Sequence, residues 1–435
     1  MTAIDLNHSQ EIIKEQRPKP RYRYPRALIA LNSRNFRLFW FGQLVSLIGT
    51  WMQTTGQDWL VLQITHSAWL LGVVGALQFL PILLFSLFSG VIADRVPKKK
   101  LLVCTQISSM TLAAILCILV FTGTVQIWQI FILASLLGIT NSLDMPVRQS
   151  FVVEMVGKDT LPNAIALNAT SFNLARIIGP SIAGILISLF GEAPLFLINT
   201  ISFIPVLYSF YLMHSSELFN QPSKQTQQQG TFKSLNEGLS YIVRVPIVFM
   251  LIALVGVVSL FGINFNVVLP LFADTVLKVG SQGYGFISSA FGLGALLSAV
   301  WIAWSNKAAT MNQLLIGALL FAVTEALFAI SHVYILSLIF IAVVGFNQIS
   351  FTARANSMLQ AVTPNHLRGR IMSVYTIVFA GTTPIGNLFI GAFASAFGAS
   401  IALIAGAAPC IVAAIVAWCV RKPVEKSMKE KSQLT

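Results

Sequence analysis

The chain of 435 residues is 56% hydrophobic and 10% charged, with a mean hydropathy of +0.77, where an average soluble domain is roughly one quarter charged. That balance excludes a polar exterior in water and, because apolar runs of ~20 residues follow one another with short gaps, makes a lipid bilayer the solvent. The net charge of +13 sits in the gaps between those runs, which marks membrane topology rather than nucleic-acid binding.

Residues 1–35 are polar and rich in Lys and Arg, and the first apolar run is too long for a signal-peptide core, so a cytoplasmic amino-terminal tail is expected. Runs long enough to cross ~30 Å at ~1.5 Å per residue lie near 36–63, 68–94, 101–123, 127–145, 161–190 and 194–213. A second set lies near 247–273, 284–304, 311–330, 334–351, 367–397 and 401–420. These predict an all-α membrane protein of 12 transmembrane helices in two six-helix bundles, 36–213 and 247–420, with a cytoplasmic tail at 421–435.

Of the 28 Lys and Arg residues, 26 fall in the tails and in gaps on one side of this topology. Lys278 falls in an outer gap and Arg176 within a span. The positive-inside rule then expects both termini in the cytoplasm and a multi-pass protein of the inner (plasma) membrane. Between the bundles, 214–246 is a cytoplasmic linker. Its Gln-rich run Gln225 to Gln229 reads as a tether, and Phe232, Leu235, Leu239 and Ile242 recur at helical spacing, as in an interfacial helix.

The segment from Arg148 to Gly191 can be laid on the segment from Arg354 to Gly398 at a spacing of about 206 residues, a parallel repeat of the kind that relates two transporter halves. The gap after the second span reads Gly90-Val-Ile-Ala-Asp94-Arg95-Val96-Pro97-Lys98-Lys99-Lys100. A glycine admits a close helix, an Asp at a helix end pairs with a cation or a helix N-terminus, and the basic cluster holds the loop inside. Span four ends Asp144-Met145-Pro146-Val147-Arg148, where Asp144 is either a gate partner or a helix N-cap. Span five carries Gly179, Pro180 and Gly184 and should kink, and Pro384 with Gly386 places a related break in span eleven.

Charges inside the membrane cost several kcal/mol unless paired or hydrated. Three qualify: Asp58, Arg176 and Glu325. Arg176 is the candidate for an anionic substrate or counter-ion, against structural pairing with a neighbouring carboxylate. Glu325 is a proton carrier or a structural residue. Asp58, near the outer surface, either titrates during transport or is an interfacial residue beside Trp59. Gln43, Gln53, Gln57, Asn141, Asn264, Asn266, Asn347 and Gln348 on spans one, four, seven and ten are cavity-lining candidates or helix-to-helix hydrogen bonds, and amides in a cleft suit an amphipathic organic ligand.

The Gly90 to Lys100 gap resembles the loop signature G-x-x-x-D-R-x-G-R-K of the major facilitator superfamily, with Pro97 in place of its glycine and Lys98 in place of its arginine. Residues Arg176 to Pro180 are similar to the antiporter motif of exporting facilitators, with alanine at its upstream glycine positions. With Gly42-Gln43, Gly49 to Gln53 and Met145 to Gln149, the chain from about Asn35 to Val420 resembles the branch that contains the enterobactin exporter and macrolide efflux proteins. The resemblance implies a major facilitator fold and an inner gate of Gly90, Asp94, Arg95, Asp144 and Arg148. It also implies proton-driven export of a siderophore or drug-like small molecule, each 100 mV contributing ~2.3 kcal/mol per charge.

The rival readings are an uptake symporter of the same fold and a non-transporting membrane scaffold or sensor. No GxxxxGK[ST] loop, Ser/His/Asp group or metal-ligand spacing is present, so neither an enzyme nor a bound cofactor or metal is expected. The four cysteines lie in apolar stretches without CxxC spacing. A monomer in the lipid bilayer, with a small-molecule substrate, protons as coupling ion and no nucleic acid, completes the expectation.

Overall fold

The computed structural model describes residues 24–219, 231–305 and 309–433. Within these, the side chains of Gly90, Asp94 and Arg95 lie outside the described residues, as does the Gln-rich tether, so those parts of the expected gate and linker receive no structural account.

The described chain is helical. The first half contains α1 (Arg34–Thr65), α2 (Ala68–Arg95), α3 (Lys98–Phe121), α4 (127–156), α5 (158–190) and α6 (Ala193–Leu212). After the linker helix α7 (Thr231–Arg244) come α8 (Pro246–Val276), α9 (Gly280–Ser305), α10 (Met311–Ala329), α11 (Tyr334–Val362), α12 (Asn365–Phe397) and α13 (Ala399–Gln433). Among the described residues, 10 helical segments are long and apolar enough to cross a membrane. One of these, Ile127–Phe190, is broken at Gly157 (φ 72°) into the two rods α4 and α5. Adding the more polar α1 brings the rods of membrane-spanning length to twelve.

Local chemistry sets the ends. Ser33 and Ser67 cap α1 and α2 by accepting from Phe36 N and Leu70 N, and Thr310 caps α10 in a reciprocal box with Gln313. Gly157 sits at a positive φ that only glycine adopts without cost, which lets the chain reverse between α4 and α5. Side-chain pairs fix the directions. Gly49 of α1 lies against Asn199 and Ser202 of α6, while Gly56 lies against Leu195, so α1 and α6 are antiparallel. Lys98 meets Glu154, and Thr105 meets Asp144, so α3 and α4 are antiparallel too.

Two expectations need correction. The fourth span does not stop at Met145: α4 stays helical to residue 156 and α11 to Val362, because both helices continue past their apolar stretch. The break expected in span eleven does not interrupt the helix: α12 keeps helical φ/ψ through Pro384, as α5 does through Pro180. Proline's fixed φ fits a helix and removes one donor, which small neighbours can absorb. The irregular span of the second half is α8 instead, which passes through π-turns at Val258–Gly262 and Phe272–Val276, with Ile263 and Asn264 non-helical between them.

The halves meet along two seams, α2 with α12 and α5 with α9. A Cβ placed on Gly72 would lie 2.5 Å from Asn387 O, and one on Gly391 2.9 Å from Ala68 O. On the other seam, a Cβ on Gly184 would lie 2.7 Å from Ser281 O, Ser289 Oγ donates to Ile177 O at 2.6 Å, and Ser181 and Ser289 hydroxyls bond at 2.7 Å. Close backbone approach through small residues is how membrane helices associate without a hydrophobic drive. These contacts lie in the halves of the helices nearest the α1–α2 and α5–α6 turns, so that end of the molecule is closed. Linker helix α7 docks at the opposite end, where Glu237 pairs with Arg370 of α12.

A methyl at Gly184 has no room on the closed seam. Gly184→Ala should therefore open it by about 1–3 kcal/mol, the usual cost of overpacking, whereas Gly369→Ala, with open space around it, should not. Labelling of Ser281→Cys by an impermeant maleimide, in a background lacking the four native cysteines, should speed up at least five-fold in the first variant alone.

Candidate functional site

The first bundle encloses a cavity of about 450 Å³ whose largely apolar wall, with Phe39, Leu47, Leu137 and Phe203, carries amides that include Gln43, Gln53, Gln57, Gln106, Asn141 and Asn168. Its wall reaches toward the open end through Phe39, Arg148, Gln149 and Val152, which flank the start of α1 and the end of α4. Amides donate and accept at once, so such a wall can follow many ligand shapes.

Asp144 anchors the wall. It lies inside α4 and is no N-cap, which removes that reading. Its Oδ1 accepts from Thr105 Oγ1 at 2.7 Å and Gln106 Nε2 at 2.9 Å, while its Oδ2 accepts from Arg148 Nε at 2.8 Å and pairs with Arg148 Nη2. One carboxylate thus joins α3 to α4 and neutralises a guanidinium one turn away. Lys98 pairs with Glu154 at 2.7 Å below it.

Arg176, on α5, is half-buried where the halves meet. Its Nη2 donates to Asn173 Oδ1 at 3.1 Å, and its guanidinium stands 5.9 Å from the Phe172 ring and 5.6 Å from that of Phe291 in the second half. Its Nε has no partner, and among the described residues no carboxylate pairs with it. Ring faces supply ~1–2 kcal/mol each when desolvated, less than a carboxylate would. Phe172 also lines the amide cavity, which places this cation at the cavity's inner margin.

Asp58 sits at the closed end, 7% exposed, and accepts from the Tyr284 hydroxyl of α9 at 3.4 Å. Trp59 stacks on the same Tyr284 ring with centroids 5.9 Å apart. Asp58 therefore spans the two halves. Glu325, 2% exposed, is inside the second bundle: it faces α13 near Gly406, and its Oε2 has no partner.

The second-half amides are not on the cavity wall. Asn264 Nδ2 donates to Leu260 O across the interruption of α8. Asn266 approaches Gly75 beside Asn387 on the seam, and Asn347 and Gln348 are buried in α11. The reading from four spans also missed Gln78, Gln106, Asn168 and Asn199, which stand on the wall from α2, α3, α5 and α6. Their signal was available as amides inside apolar runs. Asn387 was missed as well; it is fully buried on the seam with neither amide atom partnered.

Removing the Asp144 charge leaves Arg148 without its counter-ion. Asp144→Asn should cost about 3 kcal/mol, the low end for a broken buried pair because Arg148 is partly exposed. It should lower the thermal midpoint in detergent, and the double variant Asp144→Asn/Arg148→Gln should recover most of the loss.

Comparison with known proteins places the geometry in a family. The family model described as transmembrane secretion effector matches residues 26–435. Relatives include the staphyloferrin A transporter of Staphylococcus aureus, 26% identical over 83% of this chain and 90% of that protein. The multidrug efflux pump Tap of Mycolicibacterium fortuitum is 25% identical over 87% and 94%, and the enterobactin exporter of Shigella boydii 24% over 82% and 84%. Among solved structures, the POT family transporter PepTSo superposes with a TM-score of 0.72 at 13% identity, covering 91% of this chain and 99% of that one. A bacterial homologue of the human lysosomal transporter Spinster gives 0.68 at 12%, covering 90% and 97%. The chain belongs to the transmembrane secretion effector family, and it is a multi-pass membrane transporter with the major facilitator fold.

Proposed function

We propose that this transporter exports a small amphipathic organic molecule carrying a negative charge, by alternating access coupled to proton entry, from a cytoplasm that holds both termini. The observation that carries the reading is the amphipathic cavity, apolar with amides on its wall, and Arg176 at its inner margin, a cation held by an amide and two rings and, among the described residues, by no carboxylate. A buried guanidinium kept so is a standing site for an anionic group, which would supply the charge-assisted hydrogen bonds it lacks. An efflux pump and an enterobactin exporter among the relatives favour export of a small organic molecule.

On this reading the seams hold the outer side shut while the cavity is open to the cytoplasm. Asp58 is the coupling group, because its partner Tyr284 belongs to the other half and is lost when the outer end parts. The closed end buries the carboxylate away from water, which disfavours its charged form, so protonation from outside favours closure of the outer end, and release inside lets it part again. Glu325, remote from the cavity and within one bundle, serves packing. The gate of Asp94, Arg95, Asp144 and Arg148 closes the inner side in the opposite state.

Metabolite profiles of cells lacking the transporter, with and without iron limitation, identify the substrate. An anionic compound should fall outside and rise inside, and restored wild-type protein should reverse both changes. Arg176→Gln, present at wild-type level in the membrane, should restore less than one tenth of the export, and Arg176→Lys an intermediate share. A compound that instead rises outside in the deletion strain would make the protein an importer, and full restoration by Arg176→Gln would remove the arginine from recognition.

A further inference from the structure

A second cavity, of about 360 Å³, opens in the second bundle at the end that bears the chain termini, between α9, α10 and α11. Its wall includes Trp301, Trp304, Gln313, Arg354 and Ser357. The internal repeat gives this cavity a meaning. At the offset of 206 residues Arg354 corresponds to Arg148, and Ser350 corresponds to Asp144. In the first half the arginine is neutralised by the aspartate one turn away. In the second half the same turn offers the Ser350 hydroxyl, which bonds Arg354 and carries no charge. Among the described residues no carboxylate pairs with Arg354.

Depth adds a second, independent observation. Arg354 lies twenty residues along α11 from Tyr334, ~30 Å at ~1.5 Å per residue, which is the hydrocarbon thickness of a bilayer. Its guanidinium therefore stands at headgroup level. Trp301 and Trp304 beside it are 55% and 84% exposed, and indoles at that depth form the belt that meets lipid headgroups. Gln313 and Ser357 add neutral donors on the wall.

We propose that this cavity binds the phosphodiester of an anionic phospholipid, with Arg354 as the charge partner and the two tryptophans against the glycerol region. The site is separate from the transport cavity and does not depend on the identity of the exported molecule. The other conceivable occupant is the start of α5, because α5 and α9 pair in antiparallel register through Gly184 with Ser281 and Ile177 with Ser289. Continuing that register brings Asp159 toward the cavity. Lipid fits better, since Lys158 next to Asp159 cancels its charge and both indoles face outward.

The test is native mass spectrometry of the full-length protein titrated with phosphatidylglycerol and with phosphatidylcholine. Wild-type protein should retain phosphatidylglycerol about five-fold better, the effect of one basic contact near a membrane surface. Arg354→Gln should lose the preference. So should Ser350→Asp, which installs the counter-ion that Asp144 gives Arg148 and so keeps a fold already tolerated in the first half. Lys278→Gln, at the other end of the molecule, should keep it. Preference unchanged in both Arg354→Gln and Ser350→Asp would overturn the proposal. So would complete displacement of the lipid by millimolar inorganic phosphate, which would make this a free-anion site. An Asp159→Cys/Ser357→Cys cross-link that forms equally in bilayers with and without phosphatidylglycerol would assign the cavity to α5 and overturn it likewise.

Discussion

A guanidinium inside a membrane bundle must be paired, hydrated or stacked, and the three arginines Arg148, Arg354 and Arg176 meet that constraint in three different ways. Arg148 has a buried carboxylate one turn away, and that carboxylate also binds two donors on α3. The interaction neutralises the charge and fixes α3 against α4, so the amide wall has a rigid side. Arg354 has a hydroxyl and an open cavity. Arg176 has an amide and two rings contributed by both halves. Charge that is satisfied inside the fold serves structure, and charge without a carboxylate partner among the described residues is what the proposed ligand sites rest on.

The same economy governs the seams. Apolar helix faces gain nothing by leaving lipid for one another, so the halves are held by small residues that let backbones approach and by hydroxyls that bond across. The contacts of Gly72, Gly184 and Ser289 are all of this kind. Asp58 adds a carboxylate to the seam at its closed end, bonded to the Tyr284 hydroxyl of the other half. Asn387 is fully buried on the seam without a partner for either amide atom, a cost of ~1–3 kcal/mol per group that a parted conformation could recover.

Much of this was legible from residue order. Apolar runs give the all-helical membrane fold, and the charges inside or beside them single out Arg148 and Arg176, because bilayer thickness and backbone hydrogen bonding leave helices few alternatives. Helix ends were less legible: hydropathy sees the part inside lipid, whereas α4 and α11 run on well beyond it. The irregular backbone of α8 was not foreseen, since Pro384 is an obvious mark yet keeps helical φ/ψ, while the interruption at Ile263 and Asn264, which lies against Gly386 of α12, has no proline at it. Site partners were hidden for the same reason. That Asp144 meets Gln106, or Asp58 meets Tyr284, depends on contacts 38 and 226 residues apart in the chain.

The account rests most on the two halves exchanging a closed end for an open one under control of Asp58. Paired spin labels measure this directly: Ile165 with Val300 at the open end, and Leu189 with Gln282 at the closed end. In reconstituted protein the first distance should lengthen and the second shorten when pH falls, and Asp58→Asn should hold both near their low-pH values at neutral pH. Distances that stay fixed across pH and across the Asp58→Asn variant, or that change together in the same sense, would contradict it.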